Sequence, residues 1–304
     1  MYKRQGVYEI RDRDEAVSIM VDKANIAADT IKNNYDCCVA YYDEHLLEIS
    51  IEQRRLLGEF EPALQNDEFV MYLQPQVKRD GAAKGAEALV RWVHPSRGIL
   101  TPYAFIDILE NAGLIYKLDL YIWEKAAQKL AEWKEKGYGS YHISVNISTK
   151  DFYIIDIYET FTGLINKYGI AASNLHLEIT ETTLMTDFEK NMNIIHKLQD
   201  VGFRVEIDDF GSGYSSLNML KDISADVLKI DMGFLRKSEN EVKGQDILES
   251  IITLAGKIGM DVITEGVETK KQLDMLTMMG CHEFQGYYFS KPVPVSEFEE
   301  KYLV

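Results

Sequence analysis

From residue 68 onward the chain alternates short apolar runs with longer amphipathic stretches, and this rhythm restricts the fold more than any other feature. Strands are expected at Phe69–Gln74, Ala86–Trp92, His142–Ile147, Leu175–Thr180, Arg204–Asp208, Val227–Ile230, Val262–Glu265 and Glu283–Phe289. Helical patterns such as Leu118–Lys136, Phe188–Val201, Asp246–Ile258 and Thr269–Met279 separate most of them. Several runs are apolar at nearly every position, as parallel strands covered by helices should be. About eight strand–helix units in roughly 235 residues suit an α/β fold, a TIM-type (β/α)8 barrel. A doubly wound open sheet obeys the same alternation, and the repeat alone does not choose between them.

Residues 1–48 read differently. A short strand at Gly6–Ile10 precedes one amphipathic helix over Asp14–Asn34, with Val17, Met20, Val21, Ala24 and Ala27–Ala28 near helical spacing. One strand and one helix cannot form an independent core. They are an appendage that docks on the main domain, or the remnant of a domain cut upstream. Glu44–Asn66 reads as a charged helix leading into the main domain. The expected division is therefore 1–48 and 49–304, with 49–66 as connector.

Asp and Glu number 49 against 33 Lys and Arg, a formal charge of −16. Such a surface repels nucleic acid polymers and anionic membranes, so an anionic substrate needs local cations. Cys37, Cys38 and Cys281 make no disulfide framework, which fits a reducing cytoplasm. The polar start shows no signal peptide, and no uncharged apolar run in this portion reaches membrane-spanning length.

The polar residues fall at particular places in these runs. Glu87 sits inside AEALVRW, Asn146 near the end of HISVNIS, and Glu178 in LHLEIT with Glu181 just after it. Asp208 and Asp209 end FRVEIDDF, Lys229 lies in DVLKID, Glu265 in DVITEG and Gln285 in HEFQGYYF. Ionisable groups in core-forming strands are costly unless paired or metal-bound. If the strands are parallel, their C-terminal ends converge on one rim, where barrel enzymes build their sites. The rim would then carry an acidic ring with Asn146 as a neutral oxygen ligand, a set that selects hard cations such as Mg²⁺ or Mn²⁺. Any one of these residues alone has a plainer reading as a salt-bridge partner, a cap or a paired lysine. The recurrence at strand after strand carries the argument. Adjacent Asp208 and Asp209 can serve one site only if the strand ends there, as Gly211-Ser212-Gly213 suggests. Among His45, His94, His142, His176, His196 and His282 there is no HExxH, HxH or His-Asp pattern, and neither GxSxG nor a P-loop occurs. A glycosidase needs only two carboxylates and would leave the strand-end Lys and Asn unexplained.

At these residues the chain resembles the EAL-domain cyclic di-GMP phosphodiesterases. The signature is Glu87-Ala88-Leu89; further matches are YLQPQV (72–77), SVNIS (144–148), EITET (178–182), DDFGSGYSSL (208–217), LKID (228–231), EGVET (265–269) and QGYYFSKP (285–292). They span about residues 57–304 in order. The resemblance implies a TIM-type barrel with one antiparallel strand and two divalent cations, Mg²⁺ or Mn²⁺, at the rim. Glu87, Asn146, Glu178 and Asp208 would hold one ion; Asp208, Asp209 and Glu265 would hold the other. Lys229 would orient the attacking water, Glu265 would act as general base, Glu181 would anchor the DDFG loop, and Gln285 would support the water network. Gln74, Leu89 and Arg91 would contact the substrate. The implied reaction is hydrolysis of cyclic di-GMP to linear pGpG; the alternative is a receptor that binds without cutting, against which the intact ligand set argues. Ser212 stands where Thr is commoner, and keeps a hydroxyl. A homodimer through the rim is compatible with the family. Residues 6–35 resemble the C-terminal end of a GGDEF-like domain whose signature is absent here. The implied parent is a longer protein whose other parts could be membrane-tethered.

Overall fold

The computed structural model describes residues 5–31, 38–211, 223–231, 233 and 241–303, which fall into two compact units, 1–66 and 67–304. In the first unit, strand β1 (Gln5–Val7) pairs in parallel with β2 (Val39–Tyr41). β2 is absent from the sequence expectation because three residues with one half-buried position carry no readable alternation. The helix Val17–Thr30 packs on this pair. Gly6 allows the close approach, since a Cβ there would lie 1.8 Å from the Ala24 carbonyl oxygen. The helix begins at Val17, not Asp14, and its buried face centres on Ala27, while Val17 and Val21 are exposed. A second helix runs unbroken over Glu44–Gln65, its first turn capped by Asp43, which accepts from the Leu46 N–H at 3.0 Å.

The second unit is a closed eight-stranded barrel wrapped in helices. Its staves are β3 (Phe69–Lys78), β4 (Ala83–His94), β6 (His142–Ile147), β7 (Leu175–Thr180), β8 (Val205–Phe210), β9 (Val227–Asp231), β10 (Asp261–Glu265) and β11 (Glu283–Phe284). Two short strands, β5 (Gly98–Leu100) and β12 (Val293–Pro294), pair outside that ring with β4 and β3. All neighbours run parallel except β3, which is antiparallel to both β4 and β11 and closes the ring. The tight turn at 79–82, with Gly81 at φ 86°, can only return the chain antiparallel, because a parallel return needs a crossover. Expected and observed strands agree closely except at the last, where only Glu283–Phe284 is extended. The chain then turns at Gly286, where a Cβ would sit 2.2 Å from the Val267 carbonyl oxygen, and Tyr288 donates its N–H to that oxygen at 2.9 Å.

The strands are not uniformly apolar. Ile143, Val145 and Ile147, Leu175, Leu177 and Ile179, and Val205 and Ile207 alternate with His142, Ser144 and Asn146, His176 and Glu178, and Glu206 and Asp208. Successive side chains point to opposite faces. The polar set meets across the lumen, as the pairs His142–Gln76, Ser144–Glu206 and Lys229–Glu178 show. The apolar set packs under the helices. Along the helix Ile115–Glu135, the buried residues Ile115, Leu118, Ile122, Trp123, Ala126, Leu130 and Trp133 recur every three or four positions on one face. Each large apolar side chain so buried contributes about 1.5–3 kcal/mol. Trp123 also donates its indole N–H to the Asn146 carbonyl at 2.9 Å, fixing the end of β6.

Candidate functional site

Lys229, the third residue of β9, is wholly buried inside the barrel. Its Nζ lies 2.8 Å from Glu265 Oε1 on β10, 2.9 Å from Glu178 Oε1 on β7, 3.4 Å from Glu87 Oε2 on β4 and 3.4 Å from Asp208 Oδ1 on β8. Four carboxylates from four strands thus surround one ammonium. Burial alone would lower the Lys229 pKa, but the facing charges of Asp208, Glu178, Glu265 and Glu87 outweigh it and hold the group well above its ordinary range. The carboxyls move the other way. Burial, then the Glu87 charge, pushes Glu178 well up; burial pushes Asp208 up against the pull of Lys229; and burial raises Glu265 to about 8.

Around this centre lies a ring of amides. Asn146 donates to Glu87 Oε1 at 3.1 Å. Gln285 Nε2 donates to Glu87 Oε2 at 2.5 Å and to Gln74 Oε1 at 3.3 Å, and Gln74 in turn donates to the Ser290 carbonyl at 3.2 Å. Gln74 stands directly opposite Glu87 in the β3–β4 ladder. Leu89 and Arg91 follow Glu87 at alternate positions of β4 and so share its face. The Arg91 guanidinium lies 5.5 Å from the centre of the Tyr72 ring and donates to the Val90 carbonyl at 2.8 Å.

The paired aspartates lie at the end of β8, as expected, and a bulge there sets which way each one faces. β8 continues to Phe210, and its register with β9 slips between Ile207 and Phe210. Asp209 there takes a left-handed backbone, φ 56°, which is rare for a residue with a Cβ. Asp208 thereby faces Lys229, and its Oδ1 accepts the Asp209 N–H at 2.9 Å, while Asp209 is exposed. Glu181 opens the helix Glu181–Thr186 directly after β7. The loop it is expected to anchor lies, from Ser212 through Leu217, outside the described residues, as does Cys37; Cys38 and Cys281 are free thiols.

The site's oxygens fit a hard cation. Both carboxylate oxygens of Glu178 are buried without a hydrogen-bond partner, and Lys229 Nζ, though ringed by carboxylates, makes no aligned hydrogen bond. An unsatisfied buried carboxylate is unfavourable unless something else neutralises it. Glu87, Asn146, Glu178, Asp208 and Glu265 offer only oxygen ligands, the donor set of Mg²⁺ and Mn²⁺.

Two features escaped the sequence reading. Asp151 holds the loop after β6, accepting from both the N–H and the Oγ of Ser148 at 2.8 Å. At the opposite end of the lumen, His142, His176 and Glu206 meet. They occupy the same inward phase as Asn146, Glu178 and Asp208, a period-2 signal that was present in the strands.

The EAL domain family profile matches residues 58–292. The chain is 32% identical over 272 residues to the bifunctional diguanylate cyclase/cyclic di-GMP phosphodiesterase MucR of Pseudomonas aeruginosa, covering 89% of this chain and 39% of that protein. It is 33% identical over 240 residues to the cyclic di-GMP phosphodiesterase PdeR of Escherichia coli, covering 79% of this chain and 36% of PdeR. The chain therefore spans less than half the length of these relatives. A solved structure described as the PaMucR phosphodiesterase in complex with c-di-GMP superposes with a TM-score of 0.76 at 33% identity, over 80% of this chain and 99% of that one.

Proposed function

The chain belongs to the EAL domain family, and from that premise we propose that it hydrolyses cyclic di-GMP to linear pGpG at the carboxylate rim, with two divalent cations bound there. The observation that carries the reading is the meeting of Glu87, Glu178, Asp208 and Glu265 around buried Lys229. Glu87, Asn146, Glu178 and Asp208 would hold one cation, and Asp208, Asp209 and Glu265 the other. When bound, such cations neutralise the acidic ring and lower the pKa of a water.

The remaining chemistry belongs to the side chains. Lys229 keeps a positive charge inside the ring and can hold a water for attack on phosphorus. Glu265, whose carboxyl burial raises to about 8 before any cation binds, would serve as the general base. Gln285 fixes the Glu87 carboxylate by its 2.5 Å hydrogen bond. Arg91, backed by Tyr72, offers a planar guanidinium to a phosphate, and Gln74, opposite Glu87, and Leu89 would also contact the substrate. The same reading takes residues 1–48 as the end of a GGDEF-like domain in a longer cytoplasmic protein, with 49–66 as the connector.

Chromatography of products from cyclic di-GMP, with Mn²⁺, with Mg²⁺ and with chelator, tests the proposal. Metal-dependent pGpG is expected. Binding of cyclic di-GMP with no product in either metal would overturn the hydrolytic reading and favour a receptor.

A further inference from the structure

The barrel end opposite the carboxylate rim carries side chains for which the proposed reaction has no use. His142 opens β6, His176 is the second residue of β7 and Glu206 the second of β8. They are 8%, 3% and 0% exposed. One ligand atom from each lies within 4.8 Å of the others. His176 Nδ1 is 2.6 Å from Glu206 Oε1, and Ser144 donates to the same oxygen at 3.2 Å. Glu206 Oε2 is buried with no hydrogen-bond partner. The His142 ring stacks on His176 at 3.8 Å, and its Nε2 is 2.7 Å from Gln76 Oε1. Gly85 makes room for that ring, because a Cβ there would lie 2.4 Å from it. The cluster borders a cavity of about 510 Å³ that Lys84, Tyr141 and Arg204 also line.

We propose that His142, His176 and Glu206 form a second cation site, for a borderline divalent ion of the Zn²⁺ or Co²⁺ class, with a further coordination position open to the cavity. Two imidazoles and one carboxylate are a three-ligand set that such ions take and that Mg²⁺ does not favour. Metal–ligand bonds of about 2.0–2.1 Å put tetrahedral ligand atoms ~3.3 Å apart, so the trio must close by an ångström or so. Two parallel rings cannot aim their in-plane lone pairs at one point, so one imidazole turns about its Cβ–Cγ bond on binding, and His176, whose two nitrogens face the Glu206 carboxylate and the Ser173 carbonyl, releases a proton to solvent. Glu206 Oε2 then gains the partner it lacks. The three strands that this ion would tie together also carry Asn146, Glu178 and Asp208 near their other ends. Binding is therefore expected to raise the melting temperature of the whole barrel.

Co²⁺ added to the full chain is the probe. One equivalent with intense visible bands of a tetrahedral nitrogen-containing site is expected, alongside weakly absorbing Co²⁺ at the rim. That equivalent should persist in Glu265→Gln and vanish in His142→Ala and in His176→Gln. If the histidine variants do not fold, X-ray absorption at the cobalt edge of Glu265→Gln decides, and imidazole ligation is expected in a spectrum averaged over both sites. Oxygen ligands alone, or the absence of tetrahedral bands from both wild type and Glu265→Gln, would overturn the proposal. Either result leaves the rim reading untouched, because the rim is tested by pGpG formation.

Discussion

Replacing Lys229 by Met removes the cation that, among the described residues, faces the four carboxylates, while keeping roughly the length and burial of the side chain. Stripping one partner from a buried ion pair destabilises by about 3–5 kcal/mol. Here the loss should reach that range, because Lys229 lies within 3.4 Å of all four acids. For a unit of this size each kcal/mol moves the melting point by roughly 2–4 °C, so a fall on the order of 10 °C is expected in chelator. The carboxylates have one escape, which is to bind protons. Because Lys229 itself draws Glu265 down, its loss should raise that carboxyl further, so the decrement is read over a pH range and should deepen toward alkaline pH. Saturating Mn²⁺ should narrow the gap, since the bound cations supply the missing charge and stabilise the folded state by mass action. Differential scanning calorimetry of wild type and Lys229→Met, each with EDTA and with Mn²⁺, reads both effects. An equal decrement in the two conditions, or none in EDTA, would falsify the picture of Lys229 as the internal counter-ion of a cation site. Turnover of cyclic di-GMP should be lost in both conditions.

Glu265 is held at about 8 against an ordinary 4.5, so between those values the folded chain binds a proton that the unfolded chain has released. The stability it contributes is fully present below about pH 4.5 and is lost as pH rises through 8; urea unfolding in EDTA from pH 5 to 9 should show that decline, and a flat profile would contradict it. Gly286→Ala places a Cβ 2.2 Å from the Val267 carbonyl oxygen and 2.3 Å from its nitrogen. Overpacking of this kind typically costs ~1–3 kcal/mol, and the shift should pull Gln285 off Glu87, so a lower melting point together with weaker Mn²⁺ binding is expected, and an unchanged melt would show that the turn has slack.

Among the described residues no helix is long and apolar enough to cross a membrane. Within the lumen, four carboxylates face Lys229 among the described residues. Inside the barrel, the ten-residue β3 links the two polar ends: Gln74 meets the rim through Gln285, and Gln76 meets His142 at the other end.

The order of strands and helices was legible because amphipathic periodicity is a local property: His142–Ile147, Leu175–Thr180 and Phe188–Val201 match the structure residue for residue. The rim ligands were legible for the same reason, as polar residues recurring near the ends of apolar runs. Other features were not, because they depend on what a distant segment brings near. Closure of the barrel rests on β11, the two residues of the expected Glu283–Phe289 strand that are extended, pairing with both β10 and β3, and no local pattern announces those partners. The turn at Gly286 is dictated by the backbone of Val267 beside it. The bulge that turns Asp208 inward and Asp209 out is a register slip between β8 and β9. Likewise His142, His176 and Glu206 are separated by about thirty residues each and share no motif. Sequence alone determined which residues are polar and in which phase of each strand they lie, since that follows from the period of the backbone. Only the closed barrel decided which of them meet, because its curvature and register bring the inward faces of separate strands within ion-pair distance.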